Sequence, residues 1–238
     1  MNTHAVERER TEIAIHLSAK ARLHLVWLAA GFVGGFAIPF LFADTLDLPR
    51  DLYYGIYIAF VAAFFTLWAK TTGQSVAAIV RRRWLLCLGL TVVASALLVP
   101  VVLGKDATTH PDGLELVGAV LWRGIAYGLA DGLLLSAFPI LAIFAIFEGT
   151  RVRKRVIGTM AVGLAALVAS MAMTATYHLG YSDFRSEKVR QPVAGDVVWS
   201  APTLLTLNPI GAPITHAAMH VTAVLHSYET DLFLPPHE

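Results

Sequence analysis

Residues 125–147, IAYGLADGLLLSAFPILAIFAIF, hold one charged side chain, Asp131, in a run otherwise made of aliphatic, aromatic and small residues. A bilayer core about 30 Å thick is crossed by roughly 20 apolar residues in a helix, so this stretch reads as a transmembrane helix. Four further runs have the same character, at 23–43, 52–69, 84–103 and 156–178. A sixth, at about 203–228, is interrupted by Pro209, Gly211 and Pro213, which break or kink a helix and leave backbone groups that only protein neighbours or water can satisfy. The expected fold is therefore all-α, a polytopic membrane protein of about six transmembrane helices whose last is broken by proline and glycine and borders a cavity. Residues 1–22 read as a cytoplasmic leader, 23–232 as a single transmembrane helical domain and 233–238 as a C-terminal tail.

Composition agrees with that reading. At 56% hydrophobic and 15% charged residues, with a mean hydropathy of +0.63, the chain is too apolar for an ordinary soluble domain of 238 residues. Glu7, Arg8, Glu9, Arg10, Glu12 and Lys20 crowd the first twenty positions, which does not fit a cleavable signal peptide. Cys87 is the single cysteine and lies inside an apolar run, which rules out a disulfide framework and a cysteine metal site. A net charge of +1 gives no argument for nucleic acid. The partner the composition implies is the lipid bilayer, with a hydrophobic peptide or lipid as substrate; nothing in it specifies an oligomeric state.

Lysine and arginine are enriched in cytoplasmic loops. Arg8, Arg10, Lys20 and Arg22 precede the first span, Lys70, Arg81, Arg82 and Arg83 follow the second, and Arg151, Arg153, Lys154 and Arg155 follow the fourth. These alternate loops place both termini in the cytoplasm, with the chain integral to a cell (plasma-type) membrane. The polar stretch 182–196 is then an external loop, and the last span runs inward, carrying His226 toward the inner boundary.

Within the apolar spans the polar residues fall into stripes. His216 and His220 are four apart and share a helix face, as do Arg123, Tyr127 and Asp131, and as do Ser170, Thr174 and His178. Depth along the helices brings His178, His216, His220 and Asp131 together on the outer side of the membrane. Ligand-capable groups in a bilayer are costly and mark sites by default. Three imidazoles and a carboxylate suit zinc: His178, His216 and His220 as ligands, and Asp131 as a fourth ligand or as the catalytic group that orients a metal-bound water. Arg123, Tyr127 and Thr174 are supporting polar residues. Plainer readings stay open: histidines bonded to backbone carbonyls, Asp131 paired with Arg123, and Arg123 beside Trp122 as an interfacial anchor. Gly124, Gly128 and Gly132, and Gly31, Gly34 and Gly35, give small-residue faces for close packing. Tyr53, Tyr54 and Trp68 are expected at the interfaces.

The second half also resembles the CPBP family of intramembrane proteases, the CAAX-processing and Abi-type proteins, over roughly residues 115–228. Leu121, Trp122, Arg123 and Gly124 resemble the end of that family's first motif; Thr174 to His178 stands where its second belongs, and His216 to His220 where its third belongs. Gly118 and Ala119 occupy the positions of its glutamate pair, and His220 that of its asparagine or aspartate. A chemical analogy with the zinc hydrolases of the adiponectin-receptor and alkaline-ceramidase type lies in residue kinds alone, since the order along the chain differs. The expectation is a metal-dependent, protease-like hydrolase of peptide or lipid bonds. A membrane redox protein binding haem or copper, and a non-enzymatic scaffold or transporter, are the alternatives.

Overall fold

A computed structural model describes residues 18–230 and 233–235. The described residues are helical with no strand. The helices are α1 (Ala19–Ile38, continued by a π-helical stretch Pro39–Thr45), α2 (Arg50–Thr72), α3 (Val76–Arg81), α4 (Trp84–Leu103), α5 (Gly113–Ile146), α6 (Val156–His178), α7 (Arg190–Thr206) and α8 (Gly211–His226). Five of them, α1 with its continuation, α2, α4, α5 and α6, are long and apolar enough to cross a membrane. The chain is an all-α, multi-pass membrane-type protein.

α5 is the hub. Of its most apolar window, 78% is buried inside the protein, against 17–44% for the other four. It packs against α1, α2, α6, α7 and α8, while α4 leans on α7 and α8 from the far side. Two π-helical stretches, Val120–Ala126 and Leu133–Ala137, interrupt α5 on either side of Tyr127–Gly132. A π turn closes from i to i+5 and so re-aims the side chains beyond it; such turns recur at functional sites. Arg123 and Asp131 both reach α2, at Asp51 and Tyr57, but Asp131 also meets the α8 histidines whereas Arg123 does not.

The last third differs from the sequence expectation. Residues 182–196 are not a plain external loop: two 3-10 turns, Ser182–Phe184 and Glu187–Val189, lead directly into α7, whose polar residues face inward. Asp196, Ser200, Thr203 and Thr206 are all buried. The break in the last apolar segment falls at residues 207–210 and separates two antiparallel helices rather than kinking one. Leu207 adopts the left-handed conformation (φ 55°) that ends α7. Asn208 Nδ2 donates to the carbonyls of Val80 (2.8 Å) and Arg82 (2.9 Å), and Thr203 Oγ1 accepts from Ala212 N (2.9 Å). Protein neighbours thus satisfy the freed backbone groups, as a buried break requires. No residue of 207–210 lines the cavity described below.

Because α7 and α8 are separate, α8 runs opposite to the expected direction. His226 Nε2 contacts the Lys105 carbonyl (2.9 Å) and Thr108 N donates to the His226 carbonyl (2.9 Å), so His226 lies at the end of the bundle that carries the α4–α5 loop. Lys20 meets Glu148 at the other end. The two ends of the described chain therefore lie at opposite ends of the bundle.

The α5–α8 contact is set by small residues. A Cβ added at Gly132 would lie 2.6 Å from Pro213 Cα, at Gly128 2.7 Å from Ala217 Cα, and at Gly124 2.8 Å from Val221 Cγ2. The three glycines meet three α8 positions four apart in reverse order, an antiparallel crossing with backbones almost touching. In α1, Gly31 and Gly34 instead receive aromatic rings, Phe138 and Phe60.

Gly128→Val is expected to lower the melting temperature sharply, since overpacking against backbone costs about 1–3 kcal/mol or more. Gly118→Val, at an exposed α5 position with no atom within 4 Å of an added Cβ, leaves it unchanged. Equal melting curves for the two variants in detergent would contradict the crossing.

Candidate metal centre

Asp131 lies on the short α-helical stretch between the two π segments of α5, one residue before Gly132 and three after Gly128. Close approach of the backbones at those glycines brings it opposite His216 and His220, one turn apart on α8. All three are at least 96% buried. Asp131 Oδ2 lies 3.5 Å from His216 Nδ1 and 3.5 Å from His220 Nε2. Its other oxygen, Oδ1, accepts a hydrogen bond from the Tyr57 hydroxyl at 2.9 Å. Among the described residues, Asp131, His216 and His220 form a group whose ligand atoms lie within 4.8 Å of one another.

Neither 3.5 Å separation is a good hydrogen bond. All four ring nitrogens of His216 and His220 are buried without a hydrogen-bond partner. In most proteins such groups are paired, and leaving one unmade costs about 1–3 kcal/mol. The orphaned nitrogens are the unusual feature of this site.

The cavity beside them is about 60 Å³. Tyr127, Asp131, His178, Trp199, His216 and His220 form its polar wall; Leu98, Val101 and Val102 of α4, with Met219, Phe233 and Pro235, form the apolar one. Phe233 and Leu234, in the stretch read from sequence as a tail, are buried. Gln191 and Val101, both exposed, are at the rim, at the end of the bundle where α7 starts and α4 stops.

The other expected site residues fall into place differently. His178 lines the same cavity, but Asp131, His216 and His220 form the ligand group without it. Its Nδ1 is held by the Thr174 carbonyl at 2.8 Å, which leaves Nε2 as the nitrogen open to chemistry. Thr174 supports His178 through that carbonyl, while its hydroxyl donates to Asp196 Oδ1 at 3.2 Å. Tyr127 sets its ring edge against His220 (centroids 5.0 Å apart) and is hydrogen-bonded to the Tyr177 hydroxyl at 2.7 Å. Arg123 does not touch the centre. It makes a two-pronged pair with Asp51 (Nε–Oδ1 and Nη2–Oδ2 both 2.8 Å) and lies over the Tyr228 ring at 4.9 Å, tying α5 to α2 and to the segment after α8.

Sequence reasoning missed several participants. Tyr53, Tyr54 and Trp68 of α2 are buried rather than interfacial, and Tyr57 is buried beside them. The hydroxyls of Tyr53, Tyr177 and Tyr181 form a closed triangle with sides of 3.0, 2.6 and 2.7 Å, so each can donate once and accept once. This network orders the wall beneath the centre. Tyr57, the partner of Asp131, was readable only as one of three tyrosines within five residues. Asp196 and Trp199 lay in a stretch read as loop or its edge; Trp199 packs edge-on against His216, centroids 4.4 Å apart.

No protein-family model matches this sequence, and comparisons with curated proteins and with solved structures return no match.

Tyr57→Phe leaves Asp131 Oδ1 without its partner and is expected to cost about 1–3 kcal/mol of stability. Arg123→Met, which breaks the tie to Asp51, is expected to lower the melting temperature in detergent; a melting temperature equal to wild type would contradict the tie.

Proposed function

We propose that the protein is a metal-dependent membrane hydrolase, with a divalent cation, zinc by preference, held by Asp131 Oδ2, His216 Nδ1 and His220 Nε2. The observation that carries the reading is the set of orphaned imidazole nitrogens facing one carboxylate oxygen at two equal 3.5 Å separations. Zinc bonds of about 2.0–2.2 Å place neighbouring ligand atoms in a tetrahedral shell about 3.4 Å apart, close to both separations. Two imidazoles and one carboxylate are a donor set used by catalytic zinc, which keeps a position open for water. The reading rests on these residues and not on the CPBP-like motif, whose glutamate positions are Gly118 and Ala119.

When bound, the metal would supply an activated water and polarise a carbonyl. The chain's own residues do the rest. Asp131 takes the ligand role, one of the two read from the sequence, and is held in one orientation by Tyr57. His178, with Nδ1 donating to Thr174, presents Nε2 to the cavity as the proton acceptor and later donor. Leu98, Val102, Met219 and Phe233 exclude bulk water and accept the apolar part of a lipid or peptide substrate.

In this account the end of the bundle bearing Arg81, Arg82, Arg83, Arg151, Arg153, Lys154 and Arg155 faces the cytoplasm of a cell membrane, and the cavity opens at the outer end. The segment following α8 is then external.

Protein purified in detergent is expected to be colourless and to carry about one equivalent of zinc by elemental analysis, lost in His216→Ala and His220→Ala and retained in His226→Ala. A metal-free wild type whose stability is unchanged by both histidine substitutions would sink the proposal and favour a scaffold. For orientation, in a Cys87→Ser background an impermeant thiol reagent added outside intact cells should label Asp112→Cys and Glu229→Cys but not Thr150→Cys. Protection of Glu229→Cys would overturn the placement of the C-terminal end.

A further inference from the structure

Asp196 of α7 is fully buried, and five donors converge on its Oδ1: Trp199 Nε1 at 2.7 Å, Ser136 Oγ and Ser200 Oγ each at 2.9 Å, Ser170 Oγ at 3.0 Å and Thr174 Oγ1 at 3.2 Å. They come from α5, α6 and α7, so three helices contribute to one carboxylate oxygen. Hydrogen bonds to the charged form favour it, and burial opposes it. Among the described residues no cationic side chain pairs with Asp196, and its Oδ2 has no hydrogen-bond partner. An isolated negative charge in this interior is costly unless a positive charge lies close by.

Two of the five donors lead to the metal centre. Trp199 packs edge-on against His216, and the carbonyl of Thr174 holds His178 Nδ1. The titratable groups of the centre that these two donors touch are thus His216 on α8 and His178 on α6. A divalent cation with the Asp131 carboxylate and two neutral imidazoles leaves one net positive charge buried; one further carboxylate nearby cancels it.

We propose that Asp196 is that counter-charge and a positioning residue for the centre: it offsets the cation's remaining charge and fixes, through Trp199 and Thr174, the supports of His216 and His178. The inference rests on the metal reading above. Ligand supports of this kind typically contribute ten- to a hundred-fold to metal affinity.

The test is titration of metal-stripped, folded protein in detergent with Co²⁺, whose visible absorption reports both affinity and ligand set. Asp196→Asn keeps the size and much of the hydrogen bonding but removes the charge. It is expected to bind Co²⁺ about ten- to a hundred-fold more weakly, with band positions unchanged because the ligands are the same. Ser136→Ala, which removes one donor from the cage far along α5 from the histidines, is expected to weaken binding in the same direction by a smaller factor, and it carries the test if the Asn variant does not fold. A purely structural Asp196 would lower the melting temperature of the metal-free protein and leave Co²⁺ affinity at wild-type level in every folded variant; that result overturns the inference while the metal reading stands. Failure of the wild type to bind Co²⁺ overturns both.

Discussion

Everything at the candidate centre depends on the near-contact of two backbones, α5 and α8, at Gly124, Gly128 and Gly132. Helices that pack through larger side chains run 8–10 Å apart. With Ala217 Cα only 2.7 Å from where a Cβ on Gly128 would stand, the crossing has no room for one. That closeness lets a short side chain such as Asp131 meet two histidines on the opposite helix. The glycines therefore do more than allow packing, because they set the distance across which three ligand-capable groups face one another.

The surrounding interior treats its polar groups in two ways. Around Tyr53, Tyr177 and Tyr181 every hydroxyl is paired, and Arg123 is matched to Asp51 by two bonds. Breaks in helical geometry are treated with the same care, as Asn208 shows by bonding the carbonyls of Val80 and Arg82. His216 and His220 stand against that background with four unpaired nitrogens. Tyr54 Oη and Asp196 Oδ2 are also buried without a hydrogen-bond partner, but at His216 and His220 several such atoms face one carboxylate oxygen, an arrangement that a bound cation would complete.

Much of this was legible in the sequence, and the failures have physical causes. The five long spans follow from runs of apolar residues that no soluble fold would bury so continuously. α7 was hidden because it carries Asp196, Ser200, Thr203 and Thr206 inward, so its sequence lacks the continuous apolar run that marks the other spans, including the equally enclosed α5. Missing it reversed the direction of α8. The meeting of Asp131 with His216 and His220 survived that error because both histidines lie near the middle of a sixteen-residue helix, where reversal shifts depth little. His226, at the end of α8, was displaced to the opposite end of the bundle. Arg123 shares the α5 stripe with Asp131 but pairs with Asp51 and Tyr228, a choice of partner on other segments that spacing within one helix does not encode. Tyr57 belongs to another span, and pairing between spans is not written in any local period.

The account's central claim is that one cation is shared by Asp131, His216 and His220. X-ray absorption at the zinc edge of the loaded protein tests it most directly. It predicts a shell of nitrogen and oxygen at about 2.0–2.2 Å with the outer scattering of two imidazole rings. A shell with no imidazole, or with three, would contradict it, the latter by bringing His178 into the coordination sphere.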